Sequence, residues 1–203
     1  MIILLDNAEQ LGFFQQALHF DYWLFNKINR EWTNSFFDTV FLFLREAEFW
    51  VPFYLFLLVF ITVNFGRKGW WWALALIMTA IISDLISSSV VKQLIIRTRP
   101  CRDPFIAQQV RLLAKYCPQS SSFTSSHACN HFATAIFIFL TLRNTSRWWW
   151  LVLPWAFVIS YSQVYVGVHY PFDVAGGALL GCGIGYLMNI FFRKQFGSFN
   201  LKQ

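Results

Sequence analysis

A chain of 203 residues that is 57% hydrophobic and only 13% charged is too apolar for a water-soluble domain, in which about a quarter of residues carry charge. Lipid is the solvent that accommodates the excess apolar surface. The formal net charge of +6 suits an anionic lipid or an anionic substrate. Nucleic acid is not an expected partner, because the basic residues sit in short clusters between apolar runs.

The first ten residues, MIILLDNAEQ, lack the basic n-region of a cleavable signal peptide. Residues 1–48 then set themselves apart. LGFFQQALHFDYWLFNKINREW mixes aromatics with Gln, Asp, Lys and Arg, which suits a helix lying along the membrane surface with its aromatic side down. SFFDTVFLFL is too short to span and reads as a second interfacial or re-entrant piece; a sixth crossing is the alternative.

Residues 49–203 form the predicted transmembrane core. Five apolar runs approach the length of about 20 helical residues needed to cross a bilayer: Phe49–Gly66, Gly69–Val91 (interrupted by Asp84), Ala128–Leu142, Trp148–Val168 and Val174–Phe192. The expected fold is therefore all-α, a polytopic transmembrane bundle of about five or six spans with N-terminal interfacial helices. Gly177, Gly181 and Gly185 recur at four-residue intervals, a spacing that lets two helices approach closely in lipid. Arg67 and Lys68, Arg143 and Arg147, and Arg193 and Lys194 fall on one side of an alternating layout. Short basic connections mark the cytoplasmic face.

Four cysteines are present. Cys129 and Cys182 lie in apolar segments and read as packing residues. Cys101 and Cys117 share one polar loop, with fifteen residues between them, and can form a disulfide if that loop faces an oxidising compartment. No CxxC, no Cys/His zinc spacing and no Mg²⁺-binding acidic cluster occurs, so neither a metal nor another cofactor is expected.

Three polar clusters fall on the side opposite the basic pairs: KQLIIRTRPCRDP from Lys92, SSSFTSSHACNH from Ser120, and SQVYVGVHYPFD from Ser162. Lys92 and Arg99, seven residues apart, would share a helix face before Pro100 stops the helix, and two fixed cations suit a phosphate. Ser125 and Ser126 precede an apolar run as N-cap residues, and a helix N-terminus presents free N–H groups to an anion. His127 falls in that first turn, where it can donate a proton. Asp173, four residues after His169, can fold back from a helix opened by Pro171 and fix the imidazole tautomer. The set can run phosphoryl transfer: His169 as nucleophile, Asp173 orienting it, His127 as acid, Lys92 and Arg99 on the phosphate. The bland alternatives are snorkelling cations, an ordinary Ser cap and a structural His–Asp pair. Asp84, His19 and His131 are left out of the site.

These blocks resemble the type 2 phosphatidic acid phosphatase superfamily, with its KxxxxxxRP, PSGH and SRxxxxxHxxxD motifs. KQLIIRTRP matches fully, TSSH keeps Ser125 and His127, and SQVYVGVHYPFD keeps Ser162, His169 and Asp173 in register, the likeness running over about residues 50–192. The resemblance implies a helical bundle, a phosphohistidine intermediate and no metal. It also marks a departure: Gln163 stands where the family has Arg. Losing that charge would cost a few kcal/mol, roughly a hundredfold in rate. Gln163 can still donate to a phosphate oxygen, and Arg97 or Arg102 are the candidates to compensate.

A site at the membrane surface implies a lipid phosphate as substrate. The resemblance to small bacterial members points to undecaprenyl diphosphate, recycled in cell wall biogenesis at the periplasmic face of the bacterial inner membrane. Phosphatidylglycerol phosphate, phosphatidic acid and lipid A phosphate are the alternative substrates. A lipid phosphotransferase and a catalytically weakened lipid-binding relative are the rival functions.

Overall fold

The computed structural model describes residues 12–199. Residues 1–11, and with them the reading of the N-terminal ten, lie outside the described part. The regular structure of the described residues is helical. It comprises α1 (Phe13–Asn26), α2 (Ser35–Leu44), α3 (Val51–Asp84), the single turn α4 (Lys92–Leu94), α5 (Ser126–Leu142), α6 (Val152–Tyr165) and α7 (Pro171–Phe196).

Thirty-four residues of unbroken helix in α3 would be about 50 Å long, well beyond a hydrocarbon core of about 30 Å. The chain resolves this at Gly66, whose φ of 53° and ψ of −128° break the helix. A left-handed φ of this kind favours glycine, which has no Cβ to clash. The two halves then turn back on each other, and a Cβ added at Gly69 would collide with the Ile61 carbonyl. The first two apolar runs are thus two antiparallel spans joined by a tight turn. The second continues through a π-helical stretch, Leu85–Val91, into α4. Asp84, the carboxylate in that run, accepts from Asn130 Nδ2 at 3.1 Å, a structural link between α3 and α5.

The bundle centre is the α5–α7 pair. Added Cβ atoms at Gly177, Gly181 and Gly185 would meet the carbonyls of Ser125, Cys129 and Ala133 respectively, so each turn of α7 lies directly on a turn of α5. Such backbone proximity is what drives helix association where no hydrophobic effect operates between helices. Trp72, Phe137, Leu142, Ala156 and Phe192 fill the core on the side away from the polar loops.

The two ends of the bundle differ. At one end Lys68 Nζ donates to the Ser198 carbonyl at 2.8 Å, Phe65 packs on Phe199, and Phe60 packs on Trp149. This gathers the three basic connections together. The opposite end carries the starts of α5 and α7, the end of α6 and the long 95–125 loop. There α1 and α2 pack down: Tyr22 and Phe25 against Tyr170, Phe20 against Phe172, and Phe41 against Tyr165. Asn29 ties the end of α1 to the same loops through the carbonyls of Arg111 and Tyr165. Phe13, Phe14, Trp23, Phe36 and Phe43 stay exposed on these helices, the aromatic outer face expected of elements in the interfacial zone.

Candidate active site

The 95–125 loop, the start of α5 and the turn between α6 and α7 converge on His169. That turn is shaped by Gln163, whose backbone carbonyl accepts from the N–H groups of both Val168 and His169, at 3.2 and 3.3 Å. Gly167 permits the reversal with a φ of 87°. His169 itself is 3% exposed.

Arg99 decides the state of the imidazole. Its Nη1 lies 3.0 Å from His169 Nε2. A guanidinium can only donate, so Nε2 must present its lone pair and Nδ1 must carry the hydrogen. Nδ1 faces Asp173 Oδ2 at 3.6 Å, longer than a hydrogen bond but close enough for attraction. Burial drives the His169 pKa down to about 4, partly opposed by Asp173. The ring is therefore neutral near pH 7, with the nitrogen away from Asp173 ready to act as a nucleophile.

Asp173 is completely buried in the first turn of α7. Its Oδ2 accepts from the Tyr170 N–H at 2.8 Å, closing that helix's cap, and from Ser122 Oγ at 2.5 Å. Its Oδ1 accepts from Arg97 Nη1 at 2.7 Å. Its carbonyl accepts from Ser125 N–H at 3.0 Å, which joins the α7 start to the α5 start. Ser125 caps α5, accepting from Ala128 N–H at 3.4 Å. Ser126 and His127 then occupy the first turn, where backbone N–H groups have no earlier carbonyl to bond. The hydroxyls of Thr124 and Ser126 are buried without a partner, leaving two further donors for an incoming anion. His127 is exposed, within electrostatic range of His169 and Lys92. His131, one turn on, bonds through Nδ1 to the His127 carbonyl at 2.8 Å and stacks edge-on against Trp155. Lys92 is half-buried within electrostatic range of His169, Arg99 and Asp173.

Three sequence expectations need correction. Arg99 does not share a helix face with Lys92, because the helix ends at Leu94 and Ile95 is already extended. Arg99 reaches the site on an extended strand of loop held by side-chain bonds to Ser120 and to the Ser121 and Val168 carbonyls. Arg97 is not free to replace the missing family Arg, since its guanidinium is shared between Asp173 and Asp21. The Gln163 side chain does not reach out as a donor; its Nε2 turns onto the Ile159 carbonyl and Ser162 Oγ. Arg102 is exposed and donates to the Gln119 carbonyl at 3.3 Å. Cys101 and Cys117 are joined as a disulfide, which ties together the two segments that carry Arg99 and Ser120.

Sequence reasoning missed Ser122, Asp21 and Arg45. Ser122 lies inside the second polar block, where nothing in the sequence distinguishes it from its serine neighbours. Arg45, at the end of α2, lies within electrostatic range of Arg99 and His127, and no spacing rule connects it to either.

The chain matches the model of the PAP2 superfamily over residues 68–196. It belongs to that family. The matched stretch contains all three polar blocks and every described residue bonded to His169 or Asp173; Asp21 of α1, bonded to Arg97 and Phe172, lies outside it. The chain is 33% identical to a lipid A 4'-phosphatase of Bacteroides thetaiotaomicron over 68% of its own length and 62% of the relative's. It is 32% identical to an undecaprenyl-diphosphatase of Sulfolobus acidocaldarius over 68% and 61% of the two lengths. The chain thus spans less than two thirds of either relative. The crystal structure of a transmembrane PAP2-type phosphatidylglycerolphosphate phosphatase from Bacillus subtilis superposes with a TM-score of 0.63 at 21% identity, over 92% of this chain and 90% of the other. That likeness identifies the transmembrane bundle as the same fold.

Proposed function

We propose that the protein is a membrane lipid phosphatase that works through a phosphohistidine on His169. The observation that carries this reading is the Nε2 lone pair, fixed by Arg99 on one side and by Asp173 behind Nδ1 on the other. Arg99 already uses its donors on Ser120, Ser121, Val168 and His169. An arriving phosphate oxygen accepts the Arg99 Nη1 hydrogen in place of Nε2, which frees the lone pair at the moment the phosphorus is in place. The lone pair attacks phosphorus, the bond to the leaving oxygen breaks, and His127 gives that oxygen its proton. Water then attacks the phosphohistidine and passes a proton to His127. The P–N bond breaks and His169 is restored. Lys92, Arg99, the first-turn N–H groups and the Ser126 hydroxyl meet the equatorial oxygens, where charge gathers.

Undecaprenyl diphosphate is the proposed substrate, in keeping with the relative named as an undecaprenyl-diphosphatase. A lipid A phosphate is the second reading, favoured by the match to a lipid A 4'-phosphatase. Purified protein in mixed micelles with undecaprenyl diphosphate, lipid A, phosphatidylglycerol phosphate or phosphatidic acid separates them by phosphate release. The proposal expects fastest turnover of the diphosphate and none by His169→Ala. Activity surviving His169→Ala would overturn the mechanism, and preference for lipid A would replace the substrate.

The site is further proposed to face the periplasm from the inner membrane. Two observations support this: the basic connections gather at the opposite end, as cytoplasmic loops do, and the site end holds a disulfide, which persists in oxidising compartments. A membrane-impermeant maleimide should label Lys115→Cys in spheroplasts and Arg193→Cys only after permeabilisation. The reverse pattern would invert the topology.

A further inference from the structure

α1 reads from its sequence as a surface anchor, yet it delivers a buried carboxylate into the machinery. Asp21 is fully buried. Its Oδ1 accepts from the Phe172 N–H at 2.8 Å, inside the first turn of α7. Its Oδ2 accepts from Arg97 Nη2 at 2.5 Å, and Arg97 Nη1 bonds Asp173 Oδ1 at 2.7 Å. The Arg97 guanidinium also lies over the Tyr170 ring, 4.2 Å from its centroid. Tyr170 is in turn anchored by its hydroxyl on Asp103 at 2.8 Å, which Tyr22 of α1 shares at 2.9 Å. Arg97 is thus fixed on two edges and one face.

A buried guanidinium with one carboxylate could swing towards the phosphate or towards His169. With Asp21 at its far edge it cannot, and its near edge is aimed at the Asp173 oxygen that does not face the imidazole. Asp173 Oδ2 is left for Tyr170 N–H, Ser122 and His169 Nδ1. Burial pulls the Arg97 pKa down, and Asp173 and Asp21 more than reverse this, leaving it raised. Arg97 therefore keeps its charge at every working pH.

We propose that Asp21 is a positioning residue: through Arg97 it orients Asp173, and through Asp173 it holds the His169 imidazole in line for attack. The role belongs to α1, outside the three motif blocks, and makes docking of the N-terminal helix a condition of catalysis. It rests on the phosphohistidine reading of the site. Asp21 acts one step further back than Asp173, through Arg97, so its removal should cost less than loss of Asp173. Outer partners of a ligating histidine are worth roughly 10- to 100-fold, and Asp21→Asn should fall in that range.

The test uses the full-length protein in mixed micelles with whichever lipid phosphate the wild type turns over. Asp21→Asn should lower kcat by about tenfold or more while KM stays within about twofold, because no substrate contact is lost. Asp21→Glu, which keeps the carboxylate, should recover part of the loss. In an Asp173→Asn background, Asp21→Asn should add little, since the two act as one unit. Should Asp21→Asn fail to purify folded, Arg97→Lys carries the same test, because a single ammonium cannot present the fork that spans both carboxylates. Wild-type kcat in a folded Asp21→Asn or Arg97→Lys, or equal rises in KM and falls in kcat without rescue by Glu, would overturn the proposal. Retained activity in His169→Ala would instead overturn the phosphohistidine reading on which it rests.

Discussion

Replacing Asp173 with Asn changes one atom in the most densely bonded side chain of the site. The carboxylate faces four hydrogens: Tyr170 N–H and Ser122 Oγ at 2.8 and 2.5 Å, Arg97 Nη1 at 2.7 Å, and His169 Nδ1 at 3.6 Å. An Asn amide offers one acceptor oxygen and one donor nitrogen, so two hydrogens must meet whichever way it turns. If the NH₂ faces Arg97, a buried cation loses one of its two partners. If it faces His169, it favours the tautomer with hydrogen on Nε2 and removes the nucleophilic lone pair. Loss of an orienting carboxylate behind a catalytic histidine costs about 10⁴-fold in kcat, or about 5.5 kcal/mol in the barrier. Asp21 still holds Arg97, so the folded bundle should persist with a lowered unfolding temperature. Phosphate release and thermal unfolding on the same micellar sample measure both. A folded Asp173→Asn protein with kcat within about tenfold of wild type would refute the tautomer argument.

The His169 pKa of about 4 sets the acid side of the pH profile. Protonation removes the lone pair, so kcat/KM should fall as pH drops through about 4; an acid limb near 6.5 that vanishes in His169 variants would mean the ring titrates as in water. Gly181→Leu should unseat α7 from the Cys129 carbonyl and prevent recovery of a folded monomer in detergent, whereas Gly183→Leu, with nothing within 4 Å of an added Cβ, should purify and melt like wild type. Opening the Cys101–Cys117 loop, a sequence separation of 16, by a double Ser substitution should destabilise the protein by about 3 kcal/mol, read as a lower unfolding temperature and as weaker substrate binding through a loosened Arg99. Turnover should be unchanged by a chelator, since Lys92 and Arg99 supply the positive charge; loss of turnover restored by a divalent cation would contradict that.

Most of the bundle could be read from the sequence because lipid imposes it: a span must be apolar over its whole length, and four-residue glycine spacing has few other uses. His169 and Asp173 were legible for a local reason. They share a turn, so their distance in sequence is their distance in space. The joint at Gly66 was half visible: the apolar runs either side were clear, the tight turn between them was not. The motif places Arg99 with His169, and the two do lie 3.0 Å apart, but not by way of a helix face: bonds from its guanidinium to Ser120 and Ser121 hold it in an extended loop. Asp21 and Arg97 meet across 76 residues. No periodicity encodes such a pair, and an acidic residue in an amphipathic segment looks like any solvated one. The Gln163 amide illustrates the converse: a motif position suggested an outward donor, and burial within α6 turned it onto its own helix.

Rapid-quench labelling with a lipid carrying ³²P in its terminal phosphate is the most direct test of the chemistry. Acid lability and peptide mapping should place a transient phosphoryl group on the His169 imidazole, absent in His169→Ala and longer-lived in His127→Ala. Turnover at the wild-type rate with no labelled protein at any time, or label on another side chain, would contradict it.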